Sequence, residues 1–145
     1  MNEFEIVTEI GRAPAEVFAA LLAFDKAPTW NPGVSEVRAD ESPFGVGSSV
    51  VYVGRFLGRA YESTSQCTDY IPDRRFASKS TSGPFHLEVD YTLAEIEAGT
   101  RLTGLYRGES RGFFKLAEPL VIRMTKRHFE TATQNLKELL EAEAL

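Results

Sequence analysis

Cysteine is almost absent from this sequence, with Cys67 alone among 145 residues. A single cysteine cannot close an internal disulfide, and a cysteine-built zinc site is excluded with it. Histidine is nearly as scarce. His86 and His128 fall in separate segments without a clustered carboxylate, a poor basis for a metal site, so no metal or cofactor is expected. No apolar run approaches the roughly 20 residues that span a bilayer, since the longest, Val17 to Phe24, stops far short. Met1 to Glu9 carries acidic residues where a secretory signal would carry positive charge. Basic residues are outnumbered, giving a net charge of -5, which argues against nucleic acid as a partner. The expectation is a soluble, cytoplasmic protein, monomeric or a weak homodimer. Catalytic signatures are missing too. Gly45-Val46-Gly47 lacks the lysine and following helix of a phosphate loop, and no serine sits in a Gly-x-Ser-x-Gly elbow. Cys67 lies in mid-strand with no sign of activation. The sequence therefore assigns no catalytic residue.

What the chain does have is one long amphipathic segment near its end. From about Glu118 to Glu143 there is no glycine, and the only proline, Pro119, stands at the start, where a helix tolerates it. At about 100° per residue, Val121, Ile122, Thr125, Phe129, Ala132, Thr133, Leu136, Leu139 and Leu140 share one side. Arg123, Lys126, Arg127, Glu130, Gln134, Lys137, Glu138 and Glu141 share the other. Such a stripe needs an apolar partner, and no other helix is long enough to supply it.

The partner must be a sheet. Phe4, Ile6, Thr8 and Ile10 alternate with Glu3, Glu5, Val7 and Glu9, the period of a half-buried strand. Pro14 then opens a short helix with Val17, Phe18, Leu21 and Leu22 on its apolar face, and Asp25 can cap a second helical turn leading to Trp30. After Asn31-Pro32-Gly33 the pattern becomes short strands between turn residues: Val34 to Arg38, a loop over residues 42–47, Ser49 to Val53, and a glycine-containing bulge or hairpin turn at 54–59. Tyr61 to Tyr70, Phe76 to Thr81, Phe85 to Leu93 and Arg101 to Tyr106 follow. Phe85, Leu87, Val89, Tyr91 and Leu93 give the clearest alternation of all. About seven strands joined by short loops predict an antiparallel sheet, and without repeat or linker, residues 1–145 read as one α+β domain.

A strongly curved sheet wrapped round a single helix leaves unfilled space lined by inward strand residues and the helix stripe. Trp30, Tyr52, Tyr61, Phe85, Tyr91 and Tyr106 are candidates to line it, with Met124 and His128 from the helix and Arg55 at a mouth. Each aromatic also suits ordinary core packing, His128 suits the core boundary, and Arg55 suits a solvated hairpin.

Several of these stretches resemble the START/Bet v 1-like (SRPBCC) superfamily, in its polyketide cyclase/dehydrase-like branch. They are Ile10-Gly-Arg-Ala-Pro14-Ala-Glu-Val17-Phe18, Trp30-Asn-Pro32-Gly-Val34, Gly45-Val-Gly47, Tyr70-Ile-Pro72-Asp-Arg-Arg-Phe76, Gly99-Thr100-Arg-Leu-Thr103, Pro119-Leu120 and Leu136-Lys137-Glu138-Leu139-Leu140-Glu141. The resemblance covers nearly the whole chain and consists of fold signatures. It implies a helix-grip fold: a seven-stranded curved antiparallel sheet round a long C-terminal helix, two short helices after the first strand, and an internal cavity. It also implies binding or transport of a small hydrophobic molecule such as a lipid, quinone or polyketide-like aromatic. A cyclase or dehydratase using a cavity tyrosine, arginine or histidine, and a protein-interaction module, are the alternatives, and fold alone does not choose among them.

Overall fold

The computed structural model describes residues 2–39, 43–110 and 113–145. Ser42, which opens the expected 42–47 loop, lies outside them. Seven strands form one antiparallel sheet: β1 (Asn2–Ile10), β2 (Val34–Ala39), β3 (Ser49–Phe56), β4 (Arg59–Ile71), β5 (Arg75–Ser82), β6 (Phe85–Ile96) and β7 (Gly99–Ser110). Their spatial order is β1-β7-β6-β5-β4-β3-β2, so five consecutive hairpins run from β2 to β7 and β1 closes the far edge. Between β1 and β2 lie α1 (Pro14–Leu22) and a short 3-10 helix (Phe24–Thr29). After β7 come α2 (Phe113–Leu116) and the long α3 (Glu118–Glu141). This is the helix-grip architecture.

Local chemistry explains most boundaries. Pro14 begins α1, where its missing N–H has no partner to lose. The β3–β4 hairpin turns on two residues, Leu57 (φ 51°) and Gly58 (φ 75°), the left-handed pair that matches strand twist. Asp25 does not cap the 3-10 helix as expected; it lies within the first turn, and Ala23 occupies the cap without a side-chain bond. The strand expected to end at Tyr106 continues to Ser110, because Gly108 and Ser110 keep pairing with Leu87 and Phe85. At Gly108 the reason is space: a Cβ would lie 2.6 Å from the His86 carbonyl oxygen.

Helix α3 is fastened at both ends. At its start the Glu118 carboxylate accepts hydrogen bonds from Asn2 Nδ2 (3.1 Å) and the Ser110 amide (3.2 Å), and pairs with Lys115 (3.1 Å). The Lys115 bond is the main reason its carboxyl stays below the usual range. A negative charge in the first turn also suits the helix dipole. At the other end Arg12 donates to the carbonyls of Leu140 and Glu141, both at 3.0 Å, satisfying acceptors that the helix leaves open. The Gly11 amide donates to Glu141 Oε2 at 2.8 Å, and Lys137 Nζ to the Glu9 carbonyl at 2.7 Å. Between these clamps, Val121, Ala132, Thr133 and Leu136 are buried, as the stripe requires. The core gathers α1, the 3-10 helix and the second half of α3 over the inward residues of the sheet, including Ile10, Val50, Phe76 and Leu102.

Candidate functional site

Where the first half of α3 crosses the sheet, the interior is hollow. An inner chamber of about 130 Å³ is bounded by Leu21, Phe24 and Trp30 on the helical side and by inward residues of β3 to β6. An outer chamber of about 110 Å³ lies under Val121, Ile122, Thr125 and His128 and reaches Asn2, Glu109 and Ser110 at the strand ends. Tyr61, Phe85, Leu87 and Phe129 border both. Each volume is many times the 10–15 Å³ that holds one water.

The strand period of two delivers the inner wall. Tyr52 on β3, Tyr61, Ser63 and Ser65 on β4, Ser78 and Ser80 on β5, and Phe85, Leu87, Val89 and Tyr91 on β6 all face inward. Ser65 stands opposite Ser80 and Cys67 opposite Ser78. Ser80 has a second task. The β5–β6 ladder runs from Arg75–Thr92 to Lys79–Glu88, and beyond it the Ser80 hydroxyl accepts from the Leu87 amide (3.1 Å) and donates to the Leu87 carbonyl (3.2 Å). A side chain thus spans the gap where the two strands part.

Tyr106 sits behind this wall. It is 1% exposed, with its ring stacked between Phe4 (centroids 5.1 Å) and Phe129 (4.3 Å). Its hydroxyl donates to the Tyr91 hydroxyl at 3.1 Å, which leaves the Tyr91 proton free for the chamber. Burial pushes the Tyr91 phenol well above its ordinary range and that of Tyr106 up to about 12. Burial, and next the neighbouring Tyr91 and Tyr61, also raise the Tyr52 phenol, and burial raises Tyr61. These hydroxyls are neutral donors and acceptors at ordinary pH. No charged side chain borders the inner chamber among the described residues. Two buried polar atoms beside it, Trp30 Nε1 and Asn31 Oδ1, have no hydrogen-bond partner among the described residues.

Of the residues singled out from sequence, Trp30, Tyr52, Tyr61, Phe85 and Tyr91 share the inner chamber; Tyr106, expected to line it too, lies behind the wall and meets it only through its bond to Tyr91. His128 borders the outer chamber, edge-on to Phe129, and burial lowers the pKa of its imidazole, favouring the neutral form. Two expectations are corrected. Arg55 is exposed and turns back along its own hairpin to the Gly58 carbonyl (3.0 Å) instead of reaching a cavity mouth. Met124 is 37% exposed on the outer face of α3, because it follows the exposed Leu120 by one turn and lies away from the stripe. His86, on the face opposite Leu87, is half-buried beside Glu88 at 3.5 Å. Phe129, on the helix stripe expected to line the hollow, does border it, whereas the four serines were not expected there. Their signal was present: serines at 63, 65, 78 and 80 are spaced by two on adjacent strands, and hence share one face.

The model of the family described as "Polyketide cyclase / dehydrase and lipid transport" matches residues 1–141. The chain belongs to that family. Among solved structures it is similar to the Zhui aromatase/cyclase from Streptomyces, at 15% identity over 99% of this chain and 96% of that one, with a TM-score of 0.85. TTHA0849 from Thermus thermophilus is similar at 17% identity, 99% and 100% coverage and a TM-score of 0.84. Ara h 8.0201 gives 13%, 97%, 98% and 0.75. At such identities these likenesses establish the fold alone. A search of curated proteins finds no match. Among the described residues no helix is long and apolar enough to cross a membrane.

Proposed function

We propose that this chain, acting as a single domain, binds and carries a small, uncharged hydrophobic molecule in the inner chamber, with the outer chamber as its approach. A quinone or polyketide-like aromatic fits better than a charged fatty acid. The carrying observation is the wall itself: aromatic and aliphatic surface, a row of serine and tyrosine hydroxyls, and no charged group among the described residues. Water leaves apolar surface when the ligand enters, and the hydroxyls orient it. An ionised carboxylate would lose its hydration there without gaining a cation. The family's description, which includes lipid transport, agrees with this reading. We place the protein in the cytoplasm, as a monomer or weak homodimer, with no nucleic-acid partner, in keeping with its net charge of -5.

Native mass spectrometry for a copurifying molecule, followed by thermal-shift measurements with quinones, flavonoids, polyketide-like aromatics and fatty acids, tests the proposal. A ligand present at 100 times its dissociation constant stabilises the folded state by about 2.7 kcal/mol. In a domain of this size the melting temperature then rises by roughly 5–10 °C. Shifts from neutral aromatics with none from fatty acids are expected. No shift from any class would sink the carrier reading.

A cyclase or dehydratase is the second reading, and the Tyr91–Tyr106 pair favours it. Tyr91 presents a donor that can stabilise a developing enolate. Proton abstraction also needs a base, and with their raised pKa values the chamber phenols are poor ones. The test is turnover of an aromatising poly-β-keto substrate by Tyr91→Phe: a large loss of rate with unchanged melting would favour catalysis.

A further inference from the structure

On α3 the turns that cover the outer chamber carry a different surface on their other side. Leu120 and Met124 are exposed one turn apart, and Leu116 at the end of α2 is 88% exposed. At 100° per residue Arg123 and Arg127 share the outer face of α3 with Leu120 and Met124. Arg123, Lys126 and Arg127 have no ion-pair partner among the described residues; Lys26, Arg55, Arg74 and Lys79 are likewise outside the ion pairs but are scattered over the chain, whereas these three stand within five residues. Residues 115–128 hold four lysines and arginines against one carboxylate, in a chain whose net charge is -5. Exposed leucine and methionine side chains among unpaired cations form the pattern of a helix lying in a lipid–water interface.

We propose that the outer face of α2 and the start of α3 docks on an anionic lipid surface. The apolar side chains enter the headgroup boundary while the arginines and Lys126 meet lipid phosphates. The opposite face of the same turns roofs the outer chamber through Val121, Ile122 and Thr125, so docking would lay the roof of that chamber on the bilayer. A hydrophobic molecule then passes between lipid and protein with little exposure to water. A merely acidic protein partner would use the cations but leave Leu116 and Leu120 unexplained.

The test is sedimentation of the full chain with vesicles of pure phosphatidylcholine, or of equal parts phosphatidylcholine and phosphatidylglycerol. No ligand is needed, so the result does not depend on the carrier reading. Partition onto the anionic vesicles alone, weakening as salt rises, is expected. Arg123→Gln and Arg127→Gln should each weaken it about fivefold. Leu120→Ser should weaken it roughly tenfold. All three sites are exposed, so unchanged melting temperatures will show that the variants fold. No partition would overturn the proposal, as would partition that ignores Leu120→Ser, or binding to polyglutamate but not to vesicles.

Discussion

Gly104 makes the bed on which the Tyr106 ring lies: a Cβ there would stand 2.8 Å from both Oη and Cε2 of Tyr106. The two residues are neighbours on the inward face of β7, and the missing side chain lets the ring lie along the strand. The same step places Gly104 opposite Tyr91, so the hydroxyls meet over an empty position. With Phe4 and Phe129 on either side, the ring has little room to move. Gly104→Ala should therefore destabilise by ~1–3 kcal/mol, as overpacking does. Urea unfolding measures this, and a change within ~0.5 kcal/mol would mean that the ring shifts freely.

Leu136 is 1% exposed at the centre of the α3 stripe. Leu136→Ala should lower stability by ~2–5 kcal/mol in the same assay. A loss of the size seen at surface sites, under ~0.5 kcal/mol, would place the helix in a different rotation.

High pH should unfold the protein through its buried phenols. A tyrosine whose pKa is higher in the folded state keeps its proton there after the unfolded chain has lost it. Its contribution is complete below the unfolded value and vanishes as pH rises through the folded one. For Tyr106 that window runs from 10.0 to about 12, and Tyr52 and Tyr91 act in the same direction. Stability should fall by roughly 1.4 kcal/mol per pH unit for each such residue. Urea midpoints across this range, with tyrosinate absorbance, provide the check; a flat profile would mean that water reaches the phenols.

Trp30→Phe removes a buried N–H that has no partner among the described residues, along with part of a buried ring. Relief of an unsatisfied donor is worth ~1–3 kcal/mol and offsets much of the lost packing. The net change in stability should stay within about 1 kcal/mol. A loss above ~3 kcal/mol would show that a bound water or ligand satisfies the indole.

The fold was legible in the sequence because two periods, 3.6 on α3 and 2 on β1 and β6, are strong enough to survive without tertiary information. Leu136 and the Phe85–Leu93 alternation needed only counting. The site was legible in part. Tyr52, Tyr61 and Tyr91 could be placed on inward faces, but their convergence depends on sheet curvature, which no local pattern encodes. Arg55 was misplaced because a long side chain can reach in either direction, and the Gly58 carbonyl settles it. The serines looked like mere polarity, and the short α2 helix at Phe113–Leu116 has too few residues to show a period.

The clamps on α3 give the far ends of the molecule control over the middle. Arg12 lines neither chamber, while Glu118 holds Asn2 and Ser110 at the rim of the outer one, so the helix is tied down on both sides of the hollow. A helix tied at both ends can bow over the hollow but cannot slide along the sheet, so the span between the fastenings bounds what fits beneath it. A chain with either fastening loosened would keep every wall residue and still measure its ligands differently.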